Sequence, residues 1–268
     1  MPTKIVVCGA AGRMGKTLIG LVAQSEASVL AGAVEMSGHA ALGKDAGEVA
    51  GVGRLNVAIG DDFGAVATPD TVALDFTNAA AAVDHLRTAV QRRSPMVIGS
   101  TGFSPAQQAD IDTLAPQIRC VIAPNMSVGI AVLQRLVREA ALALGADFDP
   151  EIVEMHHRMK VDAPSGTALA LGRTVAEATG RSFAADAVYG REGVVGQRQR
   201  KQLGIMALRG GDVVGDHTVI FAGLGERIEL THRAQSRDCL ARGALRAALW
   251  LVSQPVGRYG MHDVLGWR

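Results

Sequence analysis

Two histidines stand side by side at 156 and 157 in "EMHHRMKVDAPSGTA", with Lys160 three residues on and Pro-Ser-Gly-Thr soon after. Histidine exchanges protons near neutral pH, lysine carries a fixed positive charge, and a helix that starts at Ser165 presents its first N–H groups, at Gly166 and Thr167, to an anion. Together they suit an anionic, carboxylate-bearing substrate and one protonation step. Neighbours on a strand point to opposite faces, so only one of His156 and His157 faces a given pocket unless the strand has already ended. A surface or structural histidine pair is the plainer reading of the same residues. No third ligand for a metal is evident, so no metal site is expected.

A second stretch, "GAAGRMG", spaces glycines at 9, 12 and 15 between the apolar run "KIVVC" and the helix-like "RMGKTLIGLVAQS". Gly9 permits a tight turn, Gly12 lets backbone approach a pyrophosphate, and Gly15 lets helix and strand pack closely. The helix start then receives the pyrophosphate. Glu35 lies 20 residues after Gly15, at the end of the next apolar run, where a carboxylate accepts hydrogen bonds from a ribose. Met36 follows it and offers no charge to a 2′-phosphate; His39 and Lys44 are near in sequence only. The reading is therefore NADH as preferred cofactor, with NADPH second. "GSTGF" (99–103) and "APNMS" (123–127) end two further apolar runs, and ligands of such sheets bind at the carboxyl ends of strands.

These residues need a frame. Apolar runs at 4–9, 28–35, 72–77, 95–100 and 120–125 alternate with helical periodicity at 13–25, 78–93 and 104–116. Strand and helix in turn, with strands apolar throughout, predict an α/β fold with a Rossmann-type doubly wound parallel sheet. The pattern then changes. A long helix is expected at 128–145, a strand at 150–157 and a helix at 166–180. Several strands with Gly-rich turns follow over 188–235, and a closing helix at 237–254. That second part reads as an α+β domain with a mixed, largely antiparallel sheet. The expected division is 1–127 with 238–268 as dinucleotide-binding domain and 128–237 as substrate-binding and oligomerisation domain.

The totals narrow the classes. With 268 residues, 48% of them hydrophobic, the chain can build two cores. A formal charge of +1 and 4% aromatic residues give no drive toward nucleic acid or an anionic membrane. No apolar run is long enough to span a bilayer, and the N-terminus does not read as a signal peptide. Cys8, Cys120 and Cys239 form no CxxC pair, so a reducing, cytoplasmic setting is expected.

Over essentially its whole length the sequence resembles the 4-hydroxy-tetrahydrodipicolinate (dihydrodipicolinate) reductase family of lysine and diaminopimelate biosynthesis. The resemblance rests on "GAAGRMG", "DFT" (75–77), "GSTGF", "APNMSVG", "EIVEMHHRMKVDAPSGTAL", "YGREG" (189–193) and "HRAQSRDCLARGAL" (232–245). It implies hydride transfer from NADH or NADPH to a small cyclic dicarboxylate, in a homotetramer assembled through the substrate domains. It implies His156 as proton donor, Lys160 as second donor or polarising cation, and His157, Gly166 and Thr167 as the carboxylate grip. The implied cofactor contacts are Gly9, Ala10, Ala11, Gly12, Arg13, Met14, Glu35, Met36, Gly99, Ser100, Thr101, Ala123, Pro124, Asn125 and Met126. Met36 stands where some members carry Arg, and Met126 where Phe is common. Two other readings keep the glycine turn: another NAD-linked reductase of an imine or amino-acid-like substrate, and a non-catalytic NADH-binding redox sensor.

Overall fold

The computed structural model describes residues 1–236 and 238–267. The chain divides into two compact units, 1–127 with 238–268, and 128–237.

In chain order the first unit begins with β1 (Thr3–Cys8), α1 (Arg13–Gln24), β2 (Ser28–Val34), α2 (Ala46–Ala50), β3 (Ile59–Gly60), α3 (Phe63–Val66) and β4 (Thr71–Asp75). It continues through α4 (Ala79–Arg92), β5 (Met96–Ile98), α5 (Pro105–Leu114) and β6 (Arg119–Ile122). The second unit holds α6 (Val128–Leu144), β7 (Asp149–His156), α7 (Gly166–Thr179), α8 (Phe183–Asp186), β8 (Ala187–Val188), β9 (Leu203–Arg209), β10 (Gly215–Ala222) and β11 (Arg227–Ala234). The chain returns to the first unit with α9 (Asp238–Leu251), β12 (Gly257–Tyr259) and α10 (Met261–Val264).

The first sheet runs β12-β6-β5-β4-β1-β2-β3, and every pairing in it is parallel. Its central strands are apolar because helices cover both faces: every residue of β4 and β5 is buried. The order reverses between β1 and β4, and in such sheets the crevice at that switch receives ligands. Local chemistry sets the ends. Asn78 caps α4 by accepting from the Ala80 and Ala81 N–H groups, and Ser104 forms a capping box with Gln107 at α5. β4 stops at Asp75, short of the expected residue 77, because the Asp75 carboxylate accepts from both the N–H and the hydroxyl of Thr77 and turns the chain. The short elements α2, β3, α3, β12 and α10 have no counterpart in the periodicity; β3 and β12 form by pairing with β2 and β6.

The second sheet is mixed, in the order β11-β10-β7-β9-β8. Its longest ladders, β10 with β11 and with β7, are antiparallel; β7–β9 and β8–β9 are parallel. β7 alternates between partly exposed and buried residues, the period of a strand with one covered face. α6 and α7 supply the cover. Ile130, Leu133, Val137, Leu171 and Val175 pack on Ile152, Ile205, Val219 and Phe221. Each such side chain contributes about 1.5–3 kcal/mol when fully buried.

Candidate active site

In the first unit, Gly9 adopts a left-handed φ of 72°, which fixes the tight turn after β1. At Gly15 a Cβ would strike the Gly9 carbonyl oxygen, so only glycine lets α1 start this close to the strand. The turn satisfies its own backbone: Gly9 and Ala10 donate to the Val34 oxygen, Gly12 to the Gly9 oxygen, and Ala11 to Glu35 Oε2 at 3.0 Å. The Arg13, Met14 and Gly15 N–H groups have no acceptor among the described residues. No side chain caps α1 either. These donors are available to an anion.

Glu35 also accepts from the Met36 N–H at 3.0 Å, so its carboxylate is locked while each oxygen keeps a further lone pair. Gly9, Gly12, Glu35, Met36, Asp61, Thr77, Asn78 and His85 are among the residues lining a cavity of about 310 Å³. Of the remaining sequence-predicted cofactor residues, Gly99 donates to the Asp75 backbone oxygen, and buried Ser100 donates its hydroxyl to Asp75 Oδ1 at 3.2 Å. Thr101 is exposed beside them. Ala123 donates to the Ile98 oxygen, Pro124 is exposed, and Asn125 accepts from the Ser127 N–H. These loops follow β5 and β6, on the same sheet edge as the glycine turn. They do not line the cavity. Ala10 and Met126 are buried, and the Met126 carbonyl packs against Gly243 of α9. Their side chains act on the loops by packing.

Sequence reasoning quoted "DFT" but assigned it no role. Asp75, fully buried, meets His85 Nδ1 at 2.6 Å and Thr77 Oγ1 at 2.6 Å. Cys8 joins them: Cys8, Asp75 and His85 have ligand atoms within 4.8 Å of one another, the one such trio among the described residues. Burial pushes the Cys8 thiol well above its ordinary value, and Asp75 and Glu35 push it further. The hydrogen bonds of this group centre on Asp75, which joins His85, Thr77 and Ser100, while the raised thiol keeps Cys8 protonated and packed beside them.

In the second unit β7 ends at His156, which places His156 on the buried face and frees His157 from the strand's alternation. His156 Nδ1 lies 2.5 Å from Glu154 Oε2. Glu154, with no side-chain exposure, also accepts a two-pronged Arg209 guanidinium at 2.9 Å per contact and the Ser165 N–H at 3.0 Å. Burial raises the Glu154 carboxyl; the Arg209, His156 and Ser165 bonds outweigh it and hold the group below its ordinary value. Ser165 caps α7, accepting from the Ala168 N–H, and its hydroxyl lies 3.1 Å from His217 Nε2. Burial and the charges of His156 and Lys160 lower His217 to about 4, so it is neutral at pH 7. Lys160 donates its N–H to the His157 oxygen and its ammonium to Asp162 at 2.8 Å. Gly166 is exposed and Thr167 partly exposed at the start of α7.

The structure thus brings His156, Lys160, His157, Gly166 and Thr167 to one end of the second unit, where the apolar sheet face turns polar. Glu154, Arg209 and His217 went unnoticed in the sequence. Glu154 carried a signal: it lies two residues before His156, hence on the same strand face. His217 and Arg209 carried none, since both depend on register: His217 is the cross-strand partner of Glu154, and Arg209 of His156.

Comparison with known proteins gives this arrangement its relatives. Residues 3–126 match the family model for the dihydrodipicolinate reductase N-terminus, and residues 129–265 that for its C-terminus. The chain is 51% identical over 263 residues to the 4-hydroxy-tetrahydrodipicolinate reductase of Pelobacter propionicus, covering 98% of each chain. It is 49% identical to that of Geobacter sulfurreducens, covering 98% of this chain and 99% of the other. Among solved structures, a dipicolinate-bound dihydrodipicolinate reductase from Paenisporosarcina sp. TG-14 aligns with a TM-score of 0.74 at 23% identity, over 98% of this chain and 99% of that one, a likeness of fold. With both halves matched and half of all residues shared with such relatives, the chain belongs to the dihydrodipicolinate reductase family.

Proposed function

We propose that the protein reduces 4-hydroxy-tetrahydrodipicolinate (dihydrodipicolinate) to tetrahydrodipicolinate with NAD(P)H, a step of lysine and diaminopimelate biosynthesis. One observation carries the reading: His156, gripped through Nδ1, stands beside the start of α7 and Lys160, a proton donor next to anion-binding groups.

The nicotinamide cofactor, when bound, supplies a hydride, that is, a proton's mass with an electron pair. The N–H groups at Arg13 and Met14 would hold its pyrophosphate, and Glu35 the ribose hydroxyls. Gly99, Ser100, Thr101, Ala123, Pro124, Asn125 and Met126 would shape the edge toward the nicotinamide. In the second unit the Gly166 and Thr167 N–H groups and His157 would hold the substrate carboxylates, and Lys160 would offset the charge that builds on the ring as the electron pair arrives. His156 would deliver the balancing proton from Nε2 and recover it from solvent.

We read the cofactor as NADH. Glu35 and Asp61 line the cavity, Met36 beside them is 70% exposed, and no lysine or arginine lines it among the described residues. A 2′-phosphate would meet negative charge. His39, its Nδ1 accepting from the Ala41 N–H, and Lys44 do not line the cavity. A homotetramer formed through residues 128–237 and a cytoplasmic location complete the proposal; no helix among the described residues is long and apolar enough to cross a membrane. Light scattering would test the tetramer.

The activity is tested by following NADH, and separately NADPH, with a synthase making the cyclic diacid from pyruvate and aspartate semialdehyde. Consumption that stops when the diacid is withheld is the expected result. Tight NADH binding without consumption would overturn it in favour of a redox sensor, and turnover only with other imines in favour of a different reductase.

A further inference from the structure

We propose that Glu154, clamped by Arg209, is the positioning residue of the reduction: it fixes His156 with its Nδ1 proton inward and Nε2 facing out to exchange the catalytic proton. The proposal rests on the reading of His156 as proton donor and extends it to residues that reading does not use.

The geometry admits one hydrogen-bond assignment. Glu154 is charged, since Arg209 binds both its oxygens at 2.9 Å. A carboxylate accepts and does not donate, so the 2.5 Å contact makes His156 Nδ1 the donor. In the neutral ring the lone pair is then on Nε2, and in the charged ring the transferable proton is there. Among the described residues Nε2 has no hydrogen-bond partner. Gly215, next to this face on β10, keeps it open: a Cβ there would lie 3.0 Å from Nε2 and 3.3 Å from Cδ2.

The clamp has further holds. The Glu154 oxygen that accepts from Ser165 ties the start of α7 to β7. Arg209 donates to the Asp162 carbonyl as well, which fixes the segment carrying Lys160. Proton donor, cation and helix start are therefore set from one buried carboxylate. A carboxylate behind a histidine plays this orienting part in hydrolytic triads, where it selects the tautomer and steadies the imidazolium without itself being protonated. The charged and titratable groups around His156 are Glu154 on its own strand, Arg209 on β9, His217 on β10, Lys160 and Asp162 after β7, and His232 on β11 next to His217; α7 brings no acidic residue in its first turn. Only Glu154 contacts the ring with negative charge.

The test compares wild type, Glu154→Gln, His156→Gln and the double variant, with imidazole NMR on the full chain. In wild type, neutral His156 is expected to carry its proton on Nδ1; a proton on Nε2 would overturn the proposal without any variant. Glu154→Gln is expected to lower kcat about 10–100-fold, leave the KM for NADH unchanged, and move the His156 limb of the pH–rate profile to lower pH. Its loss is expected to vanish in the His156→Gln background. A loss that adds in full there, with an unmoved pH profile, would make Glu154 structural only. Should Glu154→Gln not fold, Gly215→Ala keeps the clamp and crowds Nε2: unchanged kcat would overturn the outward-facing assignment. Full turnover by His156→Gln would instead sink the proton-donor reading itself, a separate result.

Discussion

Asp75 and Glu154 are the same device put to two uses. Each lies at or near the end of a strand with no side-chain exposure, and each meets a histidine Nδ1, at 2.6 Å for His85 and 2.5 Å for His156. Their other partners differ. Asp75 Oδ1 accepts from the Thr77 N–H and from the Thr77 and Ser100 hydroxyls, and His85 is its one ion-pair partner among the described residues. Glu154 has Arg209 on both oxygens. Where a histidine is the carboxylate's one ring partner, removing it takes away the bond that ties α4 to the buried group. Where an arginine already balances the carboxylate, the histidine can gain or lose its proton without upsetting the core. The first arrangement suits a lock that joins β4, α4 and the loop after β5 in the wall of the cavity, which His85 and Thr77 line. The second suits chemistry.

The comparison predicts opposite outcomes for two matching substitutions. His156→Gln should cut kcat by 10²–10⁴, the span of general acid catalysis, while leaving stability within about 1 kcal/mol. His85→Gln should instead cost about 2–3 kcal/mol in denaturant unfolding, and because His85 lines the cavity its kinetic effect should fall on the KM for the nucleotide rather than on kcat. That is less than a fully buried pair because the His85 side chain is 20% exposed. Lys160→Ala belongs with His156, losing turnover far more than NADH affinity. If His85→Gln abolished turnover at full stability, the division into lock and chemistry would be wrong.

The second unit's histidines also differ from each other in a way that pH reads. His217 is pushed down to about 4 from 6.5, chiefly by burial. An unfolded chain therefore binds a proton at His217 that the folded chain refuses between those values. Stability from this group is complete above about 6.5 and is lost as pH falls toward 4. The loss is on the order of 3 kcal/mol. Glu154, held below its ordinary value, adds a further loss at lower pH, as its folded carboxyl is protonated. Unfolding midpoints measured from pH 7 to 4 should fall more steeply for wild type than for His217→Gln. Parallel curves would mean that His217 is not desolvated in solution.

How much of this was legible follows the same line. The parallel sheet was readable because its strands are uniformly apolar and its helices carry their own caps, Asn78 and Ser104. The glycine turn was readable because Gly9 and Gly15 answer backbone needs that no other residue meets. Glu35 was found by spacing from that turn. The two carboxylate–histidine pairs were not found. Asp75 and His85 are ten residues apart across a strand–helix junction, and Arg209 reaches Glu154 only because β9 runs parallel to β7 in one register. β12 is three residues long and exists because β6 offers an edge. Local pattern predicts elements that are stable on local grounds; partners chosen by register appear only in the folded chain.

The mildest test concerns the first unit alone. Glu35 is locked by two backbone N–H groups, so its charge stays at the ribose end of the cavity whatever nucleotide enters. Met36 is the neighbouring position with freedom to change, being 70% exposed and holding no side-chain bond among the described residues. Met36→Arg would place a guanidinium beside that carboxylate, near where a 2′-phosphate would sit. The new arginine faces two claims, ion pairing with Glu35 or Asp61 and binding the phosphate, so the gain for NADPH should be modest, about tenfold in kcat/KM or 1.4 kcal/mol. NADH use should change little, because its ribose hydroxyls still find the locked Glu35. Measuring kcat/KM for both nucleotides in wild type and variant separates the possibilities. A rise for NADPH alone would assign nucleotide choice to this position. An unchanged ratio would mean that the 2′-phosphate is read elsewhere, and that Glu35 and Asp61 do not govern the choice.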